Sequence, residues 1–200
     1  MISGSQNLPN NFEPQWLTKA KTGDSAAFTK LIEVFQKPVY NLCYRMLGNV
    51  QDAEDASQES FLRAFKSLKR YDSNRSFSTW LLSITAHYCI DLLRRRRFQI
   101  VAIEDLPLLD VPDTGMGLET KVTIKEDSAR VRELLDALNP MDRAIVVLYY
   151  WYELPYDEIC QTLALSTSAV KSRLHRARRR MAEQWMEKIP EYAIAERMAP

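Results

Sequence analysis

The stretch YDEICQTLALSTSAVKSRLHRARRRM, residues 156–181, contains two helical patterns separated by a short turn. Ile159 and Leu163 are spaced to share one helix face in the first pattern. Ser166 is a side-chain N-cap for the second, in which Val170, Leu174, Ala177 and Met181 fall on one narrow arc. Ser172, Arg173, Arg176, Arg179 and Arg180 are thereby pushed to the opposite arc. Helix, tight turn and helix in this order form a helix-turn-helix pattern. Between Ser166 and Met181 stand Lys171, Arg173, Arg176, Arg178, Arg179 and Arg180 with no acid, whereas ordinary solvated helix faces mix signs. Arginine binds guanine edges or clamps phosphate, a helix fits the major groove, and the free N–H groups of a helix start favour anions. The pattern points to DNA.

The rest of the chain balances this charge. Lys plus Arg number 27 and Asp plus Glu 26, so the net charge of +1 gives no general attraction to nucleic acid or membrane. The charge is segregated instead. Asp52, Glu54, Asp55 and Glu59 form an acidic cluster; Arg94, Arg95, Arg96 and Arg97 form a basic block; Glu104, Asp105, Asp110, Asp113 and Glu119 follow without an intervening base. A hydrophobic content of 46% over 200 residues suffices for one domain or two small ones. Cys43, Cys89 and Cys160 lie far apart in apolar helical contexts, which suits buried thiols in a reducing compartment rather than a disulfide or zinc site. The N-terminal MISGSQNLPNNFEPQW has no apolar signal core, and no apolar run approaches the ~20 residues that span a bilayer, so a cytoplasmic protein without membrane insertion is expected. His87 and His175 are the only histidines, and they come with no glycine-rich phosphate loop and no metal-ligand cluster. No catalytic residue, cofactor, metal or small-molecule substrate is indicated.

Upstream, Asp24 caps a helix carrying Phe28, Leu31, Ile32 and Phe35, which Pro38 should kink or interrupt before the pattern resumes through Val39, Leu42, Cys43 and Met46 and stops at Gly48. Asn49 caps the next helix. Its projection puts Ala53, Phe61, Ala64, Phe65 and Leu68 on a core side and Asp52, Asp55, Glu59, Leu62, Arg63 and Lys66 on a charged side. KRYDSNRS, residues 69–76, has turn composition, and Phe77 to Arg97 is again helical, with Trp80, Leu81, Ile84, Cys89, Ile90 and Leu93 apolar. From Phe98 to about Lys125 periodicity fails while Pro107, Pro112, Gly115 and Gly117 accumulate, the composition of a linker. Val131, Leu134, Leu135 and Leu138 restart the pattern, and Asn139 with Pro140 opens a further apolar helix whose β-branched and aromatic content alone would also fit a strand.

Four segments together resemble the extracytoplasmic-function class of bacterial sigma factors, members of the sigma-70 family and initiation subunits of RNA polymerase. They are NVQDAEDASQESFLRAF, FSTWLLSITAHYCIDLLRRRR, LNPMDRAIVVLYY with ELPYDEICQTL, and STSAVKSRLHRARRRM, in the order and spacing of that class. The resemblance implies an all-α chain of two small helical domains joined by a flexible acidic linker, the second a helix-turn-helix, winged-helix-like four-helix DNA-binding domain. The corresponding division is a polar leader at residues 1–15, a polymerase-binding and minus-ten domain at 16–97, the linker at 98–125, a minus-thirty-five domain at 126–188 and a tail at 189–200.

On this resemblance Asp52, Asp55, Gln58 and Glu59 dock on the clamp coiled-coil of the largest subunit of core RNA polymerase, whose flap region is a second contact. Tyr71 and Asn74 in the 69–76 loop offer stacking and hydrogen bonding to an extruded minus-ten base. Phe77 and Trp80 match the same pattern, although their helical spacing suits core packing equally, and Arg94, Arg95, Arg96 and Arg97 neutralise nearby phosphates. Ser168, Lys171, Ser172, Arg173, Arg176 and Arg179 contact the minus-thirty-five element of promoter DNA. Control by an anti-sigma factor is also implied. The chain departs from the family at Cys160 and Ala164, where a small residue and a glycine are usual; alanine in a left-handed position there would cost about 1 kcal/mol. Pro155 stands in place of a hydroxyl cap, and Asp72, Ser73 and Arg75 differ from the commoner loop residues. The competing expectation is a helix-turn-helix regulator that binds DNA without engaging polymerase.

Overall fold

Helix starts and stops in the computed structural model follow the caps. The structure describes residues 8, 9, 12, 14–104 and 122–198, excepting the side chains of 99–104, 122–128 and 188–198. The helices are α1 (Pro14–Lys21), α2 (Ser25–Leu47), α3 (Val50–Ser67), α4 (Phe77–Glu104), α5 (Val122–Asp136), α6 (Pro140–Tyr150), α7 (Tyr156–Leu163) and α8 (Thr167–Met198), with a 3-10 turn at Leu68–Arg70. The described residues contain no strand. Asp24 accepts the Ala27 N–H at 3.0 Å, Asn49 the Asp52 N–H at 2.8 Å and Asn139 the Asp142 N–H at 3.0 Å, each satisfying an orphan donor of the first turn. Gly48 ends α2 at φ 82°, a left-handed conformation that glycine adopts without steric cost. The cap at Asn139 also decides the ambiguous apolar segment in favour of helix.

Three boundaries differ from expectation. The helix α2 runs uninterrupted through Pro38, since Phe28, Leu31 and Phe35 before it and Val39, Leu42 and Met46 after it are buried in the same core. That shared burial outweighs the backbone hydrogen bond proline cannot make. The segment read as linker from 98 to 125 is helical at both ends, α4 reaching Glu104 and α5 starting at Val122; residues 105–121 lie outside the described residues. No helix breaker precedes Pro107, so α4 has no local reason to stop sooner. The tail expected from 189 continues α8 to Met198, with Pro190 inside the helix. In the leader, Phe12 packs its ring on Phe35 at 5.5 Å and Phe77 at 5.7 Å, and Pro14 already opens α1.

Helices α2, α3 and α4 enclose Phe35, Leu42, Met46, Leu81 and Ile90; helices α6, α7 and α8 enclose Ile145, Leu148, Ile159, Leu163 and Leu174. The two helical units also pack together, α6 and α7 lying on α2 and α4, so their buried residues form one continuous cluster. Arg143 of α6 spans the junction, donating to the Met46 carbonyl at the C-terminal end of α2 (2.7 Å) and to Asp136 (2.9 Å). A cation is favourable at that negative helix end, although burial pulls the guanidinium below its ordinary pKa. Tyr152 donates its hydroxyl to the Pro38 carbonyl at 2.6 Å, and Arg45 lies 4.4 Å over Trp151. Burial pushes the Tyr152 phenol far above its usual range, so it stays a protonated donor.

Candidate nucleic-acid and polymerase-docking surfaces

Helix α8 begins as its sequence dictates: the Ser166 hydroxyl accepts the Ala169 N–H at 3.3 Å, and Val170, Leu174 and Ala177 are buried. Ala164 makes the preceding turn at φ 53° and ψ 45°, its N–H closing on the Cys160 carbonyl. Pro155 begins α7 with no side-chain cap bond.

The basic residues of α8 then divide by direction. Arg173 is drawn inward, its Nη1 2.8 Å from Oδ1 of Asp142, a residue only 7% exposed that the Asn139 amide also holds. Lys171 and Arg178 lie along the tyrosines of α6 and α7. Ser168, Ser172, Arg176 and Arg179 are exposed and spaced to share one outward arc, with Arg176 donating to the Ser172 hydroxyl at 3.1 Å. Arg179 also pairs with Glu183 at 3.1 Å, an exposed contact easily exchanged for another anion. His175 is exposed on this same arc, and its helical spacing from Ser168, Ser172 and Arg179 signals that placement in the sequence.

On α3, Asp55 and Gln58 are exposed and Glu59 is half-buried, held by Arg63 at 2.7 Å. Leu62 is 54% exposed one turn further along this face and adds an apolar surface that no charge pattern announces. Asp52 is placed differently. It is ion-paired with Arg96 of α4 and bonded by the Asn49 amide, so one candidate polymerase contact holds one candidate DNA contact. The Arg96 hydrogen bond keeps the Asp52 carboxyl below the ordinary value of 3.8, and the same bond raises Arg96.

In the 71–76 loop, Tyr71 is 5% exposed, its ring 5.7 Å from Phe77 and 5.0 Å from Trp80. Its hydroxyl donates to the Arg75 carbonyl, Lys21 donates to its carbonyl at 3.0 Å, and burial raises the phenol pKa. Phe77 is likewise buried, and Trp80 is half-buried beside it. These rings shape the loop from beneath. Asn74 stands exposed on it, its N–H fixed to Asp72 at 3.0 Å, while Arg94, Arg95 and Arg97 are exposed further along α4. The loop also meets α7: Arg75 donates to the Gln161 carbonyl at 3.4 Å, and Thr79 donates to Glu158 at 2.9 Å.

One helical unit thus carries an exposed acidic face and the other a basic helix-turn-helix. Sigma-70 region 2 matches residues 31–99 and sigma-70 region 4 matches residues 128–181. The ECF RNA polymerase sigma factor SigW of Bacillus subtilis (strain 168) is 34% identical over 175 residues, covering 84% of this chain and 94% of its own. The ECF RNA polymerase sigma factor SigE of Mycolicibacterium smegmatis is 37% identical over 170 residues, covering 81% of this chain and 64% of its own. The chain belongs to the extracytoplasmic-function family of RNA polymerase sigma factors. Its fold is similar to that of CnrH, solved in complex with the cytosolic domain of CnrY, at a TM-score of 0.64 and 22% identity over 86% of this chain and 96% of that one. It is also similar to RpoE of Bartonella quintana, solved with the anti-sigma factor NepR, at a TM-score of 0.59 and 17% identity over 78% and 94% of the two chains. Among the described residues no helix is long and apolar enough to cross a membrane.

Proposed function

We infer that this chain is a transcription initiation factor that binds core RNA polymerase and directs it to promoters, acting by binding alone while the nucleotide chemistry belongs to the polymerase. The observation that carries the reading is the pairing, within one member of this family, of an exposed acidic face on α3 with an acid-poor outward arc on α8. The unit at 16–97 supplies polymerase docking through Asp55, Gln58 and Glu59, with Asp52 beside them in its ion pair with Arg96. It also supplies the minus-ten contacts, Asn74 on the loop and Arg94, Arg95 and Arg97 along α4, while Tyr71, Phe77 and Trp80 hold the loop in shape. The unit at 126–188 reads the minus-thirty-five element through Ser168, Ser172, Arg176 and Arg179, joined by His175, with Lys171 on the flank. The protein works in the cytoplasm, and an anti-sigma factor controls it; the complex of the similarly folded RpoE of Bartonella quintana with the anti-sigma factor NepR supports this.

The test is charge reversal on α3. Asp55→Arg with Glu59→Arg abolishes association with core polymerase in a pull-down and leaves binding of the full chain to duplex DNA intact. Unchanged polymerase association would remove the docking role and favour a DNA-binding regulator that works without polymerase.

A further inference from the structure

One side chain from another helix holds two residues of the 71–76 loop at once. Lys21, the last residue of α1, is half-buried and donates from Nζ to the Tyr71 carbonyl at 3.0 Å and to the Ser73 hydroxyl oxygen at 3.1 Å. Its ammonium lies 5.4 Å from the centre of the Tyr71 ring. The start of α1 is fixed in turn, since Phe12 ahead of it packs on Phe77, the ring that also meets Tyr71. An ammonium only donates, so the Ser73 oxygen accepts from Lys21 and the Ser73 proton is directed to another acceptor. Ser73 is exposed, and so is Asn74 beside it, whose N–H is fixed to the Asp72 carboxylate at 3.0 Å. Water satisfies an exposed hydroxyl equally well, so the fold gains little from the Lys21–Ser73 bond. What the bond supplies is a fixed direction for the Ser73 proton, at a position where the chain departs from the commoner loop residues.

We propose that Ser73 reads the extruded minus-ten base as a hydrogen-bond donor, selecting a base with a carbonyl oxygen, and that Lys21 is its positioning residue. The proposal rests on the reading of the 71–76 loop as the minus-ten site and names the chemistry selected there. The ammonium behind Ser73 polarises the hydroxyl and makes it a stronger donor. A carbonyl oxygen answers it with two lone pairs, a ring nitrogen with one. Cytosine, thymine and guanine carry a carbonyl oxygen, and adenine carries none. The Asn74 amide offers both a donor and an acceptor and so suits any of the four. Discrimination against adenine therefore falls to Ser73, and its sharpness to Lys21.

The test takes a genomic fragment that the full chain transcribes with core polymerase and remakes it with each of the four bases at every minus-ten position, reading transcript yield on each template. With the wild-type chain, adenine should be the poorest base at one position, by about fivefold or more. Lys21→Met and Ser73→Ala should each shrink that penalty by about twofold to tenfold. The two changes together should shrink it no further than Ser73→Ala does, because they act through one hydroxyl. Lys21→Arg, which keeps the charge and the donors, should restore it. A bracing role within the fold would instead lower the melting temperature and the yield on all templates alike, leaving the adenine penalty as it was, and would overturn the proposal. If Ser73→Ala or Asn74→Ala alters the base preference and Lys21→Met, folded by circular dichroism, does not, the positioning role falls while the reading of the loop stands. If neither Ser73→Ala nor Asn74→Ala alters the preference at any minus-ten position, the proposal and the reading of the loop fall together.

Discussion

At Ala164 the chain pays for a left-handed turn with a Cβ that glycine would not have, at φ 53°. Ala164→Gly should stabilise the protein by about 1 kcal/mol, read as a raised midpoint in urea unfolding with unchanged slope. This strain was legible beforehand, because two helical patterns separated so briefly require a tight turn and the sequence offers no glycine there. The Asp52–Arg96 pair was not legible, since nothing in the spacing of residues 52 and 96 places them together. The folded state holds the Asp52 carboxyl below its ordinary 3.8, so the stabilisation is complete above that value and is lost as pH falls through the lower folded value. Side-chain NMR titration should find the Asp52 midpoint below 3.8 and find it raised in Arg96→Ala. An equal midpoint in both proteins would remove the ion pair.

The elements show why helical projection succeeds for some arginines and misleads for others. Periodicity correctly separates the buried stripe of α8 from its polar side, but it cannot show that Asp142, capped by Asn139 on another helix, reaches Arg173. Arg173→Ala should therefore destabilise the fold by about 1–2 kcal/mol by leaving Asp142 without its cation. Arg176→Ala should leave stability within about 0.5 kcal/mol and weaken DNA binding. Thermal unfolding and anisotropy on the two variants separate these roles, and equal melting temperatures would contradict the division. The loop at 71–76 has the same limitation: turn composition marked it, yet the burial of Tyr71 depends on Phe77 and Trp80 beneath it and on Lys21 from α1. Local sequence signalled neither α1 nor the helical ends of the linker, because each is short or lacks an apolar period of its own.

For the whole molecule, the all-α class, the two helical units and the helix-turn-helix were readable from periodicity and caps, whereas their packing together was not. That packing depends on buried hydrogen bonds between residues remote in sequence, Arg143 to Met46 and Tyr152 to Pro38. It also sets α7 against the loop and α4 through Gln161 and Glu158. The continuous core predicts one cooperative unfolding transition by calorimetry. Arg143→Ala should cost about 1–3 kcal/mol by stranding the helix-end carbonyl of Met46, and with Tyr152→Phe should begin to separate the transition into two. Two transitions in the wild-type chain would contradict the shared core.

The central claim is that both surfaces serve one act, promoter-directed initiation, and purified protein with core polymerase on genomic fragments measures it directly. Discrete transcripts should appear only when the chain is present, and they should vanish with Asp55→Arg and Glu59→Arg and weaken with Arg176→Ala. No promoter-dependent transcript on any fragment, from a chain that is folded and bound to polymerase, would contradict it.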